Sequence, residues 1–398
     1  RRVFESYGFC NIETPSVEEL DVLAAKGEVD KEIYVIERLH KDDDDKGEAR
    51  LALHFDQTVP LARYVAMHFN DLVFPFKRYQ MQRVWRGERP QAGRFREFYQ
   101  CDIDVIGVDN LPLHFDAEMP AVMWEVMNGL PGMEGEKIQI RVSNRKILSG
   151  FLKDRGVPDA TAVLRILDKA EKVGESQTFS ELSKVCSHST IGEDLTAANI
   201  LIGLAKIKAS SSQELKDKIN QLEWAPSTPT YFEGIKELCS VLDSLAHLPK
   251  GAVIADLSIV RGLDYYTGTV YETVFLDDPG YGSICSGGRY DDLAGSYISK
   301  HLPGVGISIG FSRLFARMHE KGKLPIGPKS PADLMVVMPS EEQRAQVAAL
   351  CQSLRKRGLK VEMYHAAKKI PDQLKYASRK GIPYVWFPEA EGRPHEVK

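Results

Sequence analysis

Arginines are concentrated in one stretch of the chain, KRYQMQRVWRGERPQAGRFREFYQCDIDVIG, residues 77–107. Seven basic residues and one acid lie between Lys77 and Arg96, and a second acid follows directly. The guanidinium group is a planar fork of donors that suits phosphate oxygens. Arg86, near the end of a predicted strand, and Arg94, in the turn that follows, could therefore converge on one polyphosphate.

Aromatic residues accompany these arginines. Phe95 and Phe98 offer ring faces on which a purine could stack. The alternative is a solvated basic hairpin without a ligand, and the composition of this stretch alone slightly favours that alternative.

A second stretch, RGLDYYTGTVYE, begins at Arg261. Residues 253–260 are apolar and predict a strand that leads directly into this arginine. Arg261 could simply pair with a neighbouring acid, and Asp264 is better explained as a structural partner of a nearby cation than as a base. Strand alternation turns Tyr265 away from Tyr266, so Tyr265 is expected in the core.

Several classes of protein are excluded by composition and by missing motifs. The net charge of −4 argues against a general polyanion binder. The sequence contains neither a P-loop, nor G-x-G-x-x-G, nor H-E-x-x-H. The six cysteines form no C-x-x-C pair, which indicates neither a zinc site nor a disulfide framework. No apolar run approaches the roughly 20 residues of a transmembrane helix, and the start does not read as a signal peptide.

The pattern of apolar residues divides the chain into three kinds of region. Strands are predicted on both sides of a polar loop at residues 89–94, which favours an antiparallel sheet. Helical spacing dominates residues 154–248, and strands resume from 253 to 309. After a Pro- and Gly-rich linker, strands and helices alternate from residue 331, which is typical of a small α/β domain. Its first helix is predicted over 340–357.

The order of these parts resembles a known family. Residues 77–107 resemble motif 2 of the class II aminoacyl-tRNA synthetases, with Arg86-Gly87-Glu88 at its centre. GVGISIGFSRLF, from Gly304, resembles motif 3 and carries Arg313. YGFCNIETPSV resembles the end of motif 1, with Pro15 in its expected place. RGLDYYTGTVYE and SGGRYDDL are particular to the histidyl-tRNA synthetases, which the chain therefore resembles over nearly its whole length.

The resemblance implies an ATP site. Arg86 and Arg261 would hold the α-phosphate from two sides as catalytic residues. Arg94 would meet the γ-phosphate, and Phe98 and Arg313 would sandwich the adenine. A hydrogen bond from the adenine amino group would be accepted by Glu88.

The resemblance also implies a histidine site, in which Arg261 takes part. The α-amino group would be received by Asp56 and Thr58, although Asp56 could equally be only the N-cap of the helix that follows. Gln100 would hold the carboxylate. Asp104 and Tyr266 would read the imidazole ring, and Tyr290 would line the same pocket. Gly287 and Gly288 would let the backbone come close.

The implied fold is α+β. Residues 1–153 and 249–325 would form the class II catalytic core, an antiparallel sheet of six or seven strands with flanking helices. A helical insertion domain would span 154–248 and clasp the tRNA acceptor arm. Residues 331–398 would form an anticodon-binding α/β domain that is incomplete at its C-terminus. The first part of motif 1 is expected to precede residue 1.

The implied function is histidine–tRNA ligation, with L-histidine, ATP and tRNA(His) as substrates. Mg²⁺ would travel with the ATP phosphates, without a dedicated protein metal site. The resemblance further implies a homodimer and a cytoplasmic location, with a mitochondrial one left open and no membrane partner. The D-Q-T and R-V-W-R-G-E-R-P segments favour a eukaryotic-type member.

Two relatives without this activity are alternatives. A regulatory subunit of an ATP phosphoribosyltransferase would lack the anticodon-binding domain, and residues 331–398 argue against it. The synthetase-like sensor domain of a stress kinase would have degraded motif arginines, whereas Arg86, Arg261 and Arg313 are all present.

Overall fold

The computed structural model describes most of the chain in segments. They are residues 1–24, 33–39, 50–89, 93–157, 159–186, 190–191, 195–222, 224, 227–260, 266–291, 295, 297–388 and 396–397. The chain forms two compact units, Arg1–Lys323 and Leu324–Lys398.

The first unit contains eleven described α-helices. They are α1 (Arg2–Ser6), α2 (Leu20–Ala24), α3 (Thr58–Met67), α4 (His114–Gly129), α5 (Arg145–Asp154), α6 (Ala160–Val173), α7 (Glu175–Val185), α8 (Ala197–Ala205), α9 (Ser212–Asn220), α10 (Pro229–Ser244) and α11 (Phe311–Glu320). A short 3₁₀ turn covers Pro279–Tyr281. Within the described part of the chain, no helix is both long and apolar enough to cross a bilayer.

The first unit also contains fourteen described β-strands. They are β1 (Cys10–Asn11), β2 (Val17–Glu19), β3 (Tyr34–Ile36), β4 (Leu51–Leu53), β5 (Phe76–Trp85), β6 (Glu97–Ile106), β7 (Ile138–Asn144), β8 (Thr190–Ile191), β9 (Leu195–Thr196), β10 (Lys208–Ala209), β11 (Val253–Asp256), β12 (Thr269–Phe275), β13 (Cys285–Tyr290) and β14 (Gly304–Gly310). Strands β2, β4 and β3 form a small antiparallel sheet beside the large one.

The large sheet has the strand order β1-β5-β6-β14-β13-β12-β7-β11-β10. Its six central strands, from β5 to β7 in that order, pair with one another in antiparallel fashion. Parallel pairing occurs only toward the edges of this sheet, between β1 and β5 and between β7 and β11. The predicted antiparallel fold is thus confirmed, although nine strands replace the expected six or seven.

The long hairpin of β5 and β6 follows from their sequence. Ten residues pair with ten in continuous register, from Phe76 opposite Ile106 to Trp85 opposite Glu97. On one face of the hairpin, Tyr79, Ile103 and Val105 are buried, and Tyr79 packs against Phe4 of α1. Because side chains alternate along a strand, the polar residues between the apolar ones must share the opposite face.

Helices α6 to α9 occupy much of residues 154–248, as the helical spacing predicts. Helix α10, which ends this region, packs on α5 and on β7 of the large sheet. The limits assigned to the helical insertion domain stay a prediction.

The second unit has a four-stranded sheet. The described elements of this unit are β15 (Leu334–Val336), α12 (Arg344–Lys356), β16 (Val361–Met363), α13 (Ile370–Lys380), β17 (Tyr384–Phe387) and β18 (Glu396–Val397). The strand order is β16-β15-β17-β18, with parallel pairs around β15 and an antiparallel last pair. Strand–helix alternation therefore builds the expected α/β unit.

Helix α12 begins four residues later than predicted, at Arg344 instead of Ser340. The carboxylate of Glu341 accepts hydrogen bonds from the Ala367 backbone N–H, at 3.0 Å, and from Arg344 Nε, at 2.7 Å. These contacts hold residues 340–343 in a turn, which accounts for the later start.

Candidate functional site

One face of the large sheet is polar along four adjacent strands. The register aligns Arg78, Gln80 and Gln82 of β5 with Asp104, Asp102 and Gln100 of β6. Next to them, β14 contributes Gly304, Gly306, Ser308 and Gly310, and β13 contributes Ser286, Gly288 and Tyr290. Most of the predicted site residues lie on this face or at its rim.

A cavity of about 290 Å³ opens at one end of the polar face. We call it the arginine-lined cavity. Its lining includes six of the predicted site residues, Arg86, Glu88, Arg94, Phe98, Gln100 and Arg313. The loop after β5, strand β6 and the start of α11 therefore meet here, although they are far apart in sequence.

Arg86 is fixed at the point where β5 ends. Its Nε donates to the Phe55 carbonyl at 3.1 Å, and its backbone N–H donates to the Arg96 carbonyl at 2.8 Å. The guanidinium carbon lies 5.2 Å from the centre of the Phe98 ring, a cation–π distance. The cation is thus anchored on one side and faces the cavity.

Arg313 is held from the other side of the cavity. Its Nη1 donates to the Ser283 carbonyl at 2.9 Å, and its Nη2 donates to the Tyr281 carbonyl. The guanidinium also lies 5.0 Å from the Tyr281 ring centre. Tyr281 is a site-shaping residue that the sequence reading missed, because the segment before β13 carries no motif.

Glu88 and Arg94 form an ion pair in the cavity wall. Arg94 Nη1 is 3.2 Å from Glu88 Oε2, and 48% of the arginine side chain is exposed. Exposed pairs of this kind contribute roughly 0–1 kcal/mol. The pair can therefore open at little cost when a ligand offers better partners.

Deeper in the same face, Asp104 is almost fully buried. Its Oδ2 lies 2.7 Å from Arg78 Nη2, and its Oδ1 accepts a hydrogen bond from the Tyr290 hydroxyl at 2.8 Å. Asp102 lies two residues earlier on the same face and is 4% exposed. Arg78, Asp102, Asp104 and Tyr290 together are called the buried aspartate cluster below.

Electrostatics in this cluster are unusual. Burial raises the pKa of Asp104 to about 6, while Arg78 and the Tyr290 hydrogen bond oppose the rise. Burial raises the pKa of Asp102 to about 7, again against Arg78 and a hydrogen bond from Ser308. The Ser308 hydroxyl in turn accepts a hydrogen bond from Gln100 Nε2 at 2.8 Å, which links Gln100 to the cluster.

Glycines make the room that these side chains need. A Cβ on Gly306 would overlap Oδ1 of Asp104, and a Cβ on Gly304 would overlap the Tyr290 ring. A Cβ on Gly288 would lie 2.7 Å from the Tyr266 ring and from the Thr269 carbonyl oxygen. The small residues of β14 and β13 are thus required by close neighbours within the sheet.

Asp56 and Thr58 lie at the start of α3. Asp56 Oδ1 accepts a hydrogen bond from the Val59 backbone N–H at 3.1 Å, so the carboxylate does contact the first turn of the helix. Burial raises the pKa of Asp56, against this hydrogen bond and the charge of Arg86. Asp56 thus supports the first turn, although Gln57 occupies the N-cap position itself, and the predicted contact of Asp56 with an amino group stays a prediction.

Tyr266 lies close to the aspartates. Burial raises the pKa of its hydroxyl, and Asp104, Asp102 and Asp56 raise it further. Tyr266 therefore lies near Asp104, and the predicted contact of both residues with an imidazole ring stays a prediction. Arg261, Asp264 and Tyr265 lie outside the described residues.

Residues of the buried aspartate cluster could have been found in part from the sequence. Arg78, Gln80 and Gln82 alternate with apolar residues in β5, a pattern that indicates a polar sheet face. Asp102 and Asp104 alternate in the same way. Spacing alone does not reveal the contact between Asp104 and Tyr290, which are 186 residues apart, and only the family resemblance placed them in one pocket.

The described residues include no group of three or more His, Cys, Asp or Glu side chains arranged to hold a metal ion. Glu88 is the one carboxylate among the described residues that line the arginine-lined cavity. Mg²⁺ usually binds through one or two carboxylates plus substrate phosphates. The donor set fits a cation delivered with a polyphosphate better than a resident one.

An antiparallel sheet whose polar face carries an arginine-lined cavity, followed by a small α/β unit, defines a class II aminoacyl-tRNA synthetase. The sequence profile described as "Histidyl-tRNA synthetase" matches residues 1–314. The profile described as "Anticodon binding domain" matches residues 333–387. The chain belongs to the histidyl-tRNA synthetase family.

Similar proteins agree with this assignment. A protein of Thermobifida fusca (strain YX) named histidine--tRNA ligase is 54% identical over 399 residues, 100% of this chain and 89% of its own length. Its namesake in Bifidobacterium animalis subsp. lactis (strain AD011) is 44% identical over 402 residues, 98% of this chain and 84% of its own. Both organisms are bacteria, so the expected eukaryotic-type membership is not supported.

Solved structures show the same fold. The crystal structure of histidyl-tRNA synthetase from Nostoc sp. PCC 7120 superposes with a TM-score of 0.78 at 39% identity, covering 98% of this chain and 86% of that one. An ATP phosphoribosyltransferase regulatory subunit/histidyl-tRNA synthetase from Bacillus halodurans C shares the fold at 19% identity, with a TM-score of 0.72.

Proposed function

We propose that this chain is a histidine–tRNA ligase. It activates L-histidine with ATP to give histidyl-adenylate and pyrophosphate, and it then transfers the histidyl group to the 3′ end of tRNA(His). The observation that carries the proposal is the junction at Gln100, which lines the arginine-lined cavity and is linked through Ser308 to the buried aspartate cluster.

ATP occupies the arginine-lined cavity in this proposal. The adenine stacks between Phe98 and Arg313, and Glu88 accepts a hydrogen bond from its amino group. Arg94 leaves Glu88 to meet the γ-phosphate. The exposure of that ion pair supports such a rearrangement, because little energy holds it closed.

Histidine lies across the polar face toward the buried aspartate cluster. Its carboxylate is held by Gln100 and its α-amino group by Asp56 and Thr58. Asp104 accepts the imidazole N–H, with Tyr266 and Tyr290 beside the ring. A competing amino acid without that N–H would leave a remaining acceptor site of the buried carboxylate without a donor, which penalises its binding.

In the activation step, a carboxylate oxygen of histidine attacks the α-phosphorus and pyrophosphate leaves with the bonding electrons. Negative charge grows on the α-phosphate oxygens. Arg86 stabilises this charge from one side and Arg261 from the other, because fixed cations need no reorganisation during the reaction. Mg²⁺, carried by the ATP phosphates, supplies further charge neutralisation.

The transfer step brings in tRNA. We assign residues 331–398 to anticodon binding and 154–248 to the acceptor arm, with the class II core in 1–153 and 249–325. The match of residues 333–387 to an anticodon binding domain supports the first assignment. A homodimer and a cytoplasmic location are further parts of the proposal, and the relatives from bacteria support the location alone.

Charging of a tRNA(His) transcript with labelled histidine tests this proposal. We expect ATP-dependent formation of acid-precipitable histidyl-tRNA, and none with a transcript of another specificity. A folded chain that binds tRNA(His) but never charges it would contradict the proposal and favour a tRNA-sensing relative.

A further inference from the structure

The partner of Asp104 on the neighbouring strand is a fully buried arginine. Arg78 is 0% exposed, and its Nη2 lies 2.7 Å from Asp104 Oδ2. Weaker contacts join its Nη1 to Gln80 Oε1 and its Nη2 to the Gln57 carbonyl, both at 3.4 Å. The register also places Arg78 directly opposite Asp104, so the pair is built into the hairpin of β5 and β6.

We propose that Arg78 is a positioning residue of the histidine site, which holds Asp104 as an oriented carboxylate that accepts the imidazole N–H. This inference rests on the proposed function, because it requires that Asp104 faces bound histidine. Arg78 is fully buried behind Asp104, so it acts on the substrate through Asp104 and makes no contact of its own.

The geometry leaves Asp104 ready to accept one more donor. A carboxylate offers about four lone-pair sites. Arg78 takes one at Oδ2 and Tyr290 takes one at Oδ1, which fixes the plane of the carboxylate and leaves acceptor sites on both oxygens. A protonated carboxyl would instead carry an O–H group, and the match to a ring N–H would be lost.

The surroundings of Asp104 oppose its ionisation in the absence of Arg78. Even with Arg78 in place, burial and the charge of Asp56 raise the pKa of Asp104 to about 6. Asp102, on the same strand, is a second buried carboxyl that senses Asp104 and Arg78. Tyr290 donates to Asp104 and partly offsets these effects, while Tyr266 contributes no positive charge. Arginine stays charged at every relevant pH, so it can hold Asp104 ionised near neutrality.

A purely structural role for Arg78 predicts something different. Replacing it would then lower activity equally at all pH values and for both substrates. The positioning role predicts a selective effect on histidine that depends on pH. The two roles are therefore separable by kinetics on the full chain.

The experiment is histidine-dependent ATP–pyrophosphate exchange from about pH 5.5 to about pH 9, a range that brackets the ordinary titration of histidine. With Arg78→Met, the rising limb of kcat/KM for histidine should move to higher pH by roughly 1–3 units, the usual effect of losing an adjacent opposite charge. KM for ATP should stay within about twofold, as expected of a group that makes no contact with the nucleotide. The substrate histidine ionises identically in assays of the variant and of the unsubstituted chain, so its own titration cancels in the comparison.

Arg83→Met is the matched control. Arg83 lies on the same strand but faces the other way, with about half of its side chain exposed. It should leave the pH profile unchanged. A profile for Arg78→Met that superimposes on that of the unsubstituted chain, or an equal rise in both KM values, would overturn the proposal.

If Arg78→Met does not fold, Arg78→Lys decides the question, since it keeps the charge but loses the planar fork. It should raise KM for histidine and shift the profile in the same direction by a smaller amount. A folded Arg78→Lys protein with an unchanged profile and KM would overturn the positioning role. Absence of exchange in the unsubstituted chain would instead contradict the proposed function on which the role rests.

Discussion

The arginine-lined cavity and the buried aspartate cluster lie on one sheet face but are built in opposite ways. In the cavity, Arg94 and Glu88 form a pair whose side chains are 48% and 28% exposed. In the cluster, the side chains of Arg78 and Asp104 are 0% and 5% exposed. Exposed pairs rearrange at little cost, whereas removing one partner of a buried pair costs about 3–5 kcal/mol.

This difference matches what each region must do in the proposed reaction. A nucleotide brings its own strong charges and can displace weak protein pairs as it binds. An imidazole ring is small and has few polar atoms, so its recognition requires an acceptor that is already fixed. In the proposed reaction, the acceptor that selects histidine is fixed before binding, whereas the Arg94–Glu88 pair of the cavity can rearrange.

The largest effect is expected from the cations that meet the α-phosphate. Arg86→Ala should lower kcat of histidine-dependent exchange by about 10²-fold or more, the usual scale for loss of one transition-state donor. Arg261→Ala should have a similar effect and leave the fold intact. Near-normal adenylate formation by either folded variant would remove that arginine from its assigned role.

A smaller and more selective effect is expected from Asp104→Asn. Hydrogen bonds to charged groups contribute about 1.5–3 kcal/mol, so KM for histidine should rise roughly 10- to 100-fold. KM for ATP should change little, because Asp104 does not line the arginine-lined cavity. An equal rise in KM for both substrates would mean that Asp104 does not recognise histidine selectively, and the two regions would then not differ in function.

The buried carboxyl of Asp102 lowers the stability of the folded state at high pH. Its folded-state pKa, about 7, lies above the ordinary value of 3.8. The folded state therefore holds this proton more tightly, and the stability it contributes is lost as pH rises from about 4 to about 7. Asp102→Asn should be more stable than the unsubstituted chain at pH 8, on the order of 2 kcal/mol, with a gain that shrinks toward pH 5.

Denaturation midpoints at several pH values would check this expectation. Asp71→Asn is a suitable control, because the Asp71 side chain is 83% exposed and should show no comparable pH dependence. A variant at position 102 that is less stable at pH 8 would mean that the carboxylate makes a net stabilising contact.

The smallest effect on stability should come from Arg94→Met. An exposed pair is worth roughly 0–1 kcal/mol, so the free energy of unfolding should change by less than about 0.5 kcal/mol. KM for ATP should nevertheless rise by roughly tenfold, as the loss of one charge-assisted hydrogen bond predicts. A large loss of stability would show that the cavity wall is as rigid as the buried cluster.

Sequence patterns were sufficient for parts of this picture. The β5–β6 hairpin is long and regular, and Arg86, Glu88, Arg94 and Phe98 cluster because they are close in sequence. The grouping of Asp104 with Tyr290, and of Phe98 with Arg313, came from the family resemblance and not from spacing, and Arg78 was missed. Arg78 looked like one of seven basic residues, and nothing in its spacing revealed that β6 would place Asp104 opposite it.

Short strands at the sheet edges carry little signal of their own. Lys208–Ala209, for example, contains two residues, too few for any alternation to be seen. Such strands form because neighbouring strands offer unpaired backbone groups, which is a property of the assembled sheet. This is why nine strands are observed where six or seven were expected.

The most direct test is ATP–pyrophosphate exchange by the full chain with each standard amino acid in turn. Exchange that depends on histidine alone is predicted, since the imidazole N–H would meet the remaining acceptor site of Asp104 in a pocket lined by Tyr266 and Tyr290. Exchange supported equally by another amino acid, or none from a folded protein, would contradict the assignment of the two regions to ATP and histidine.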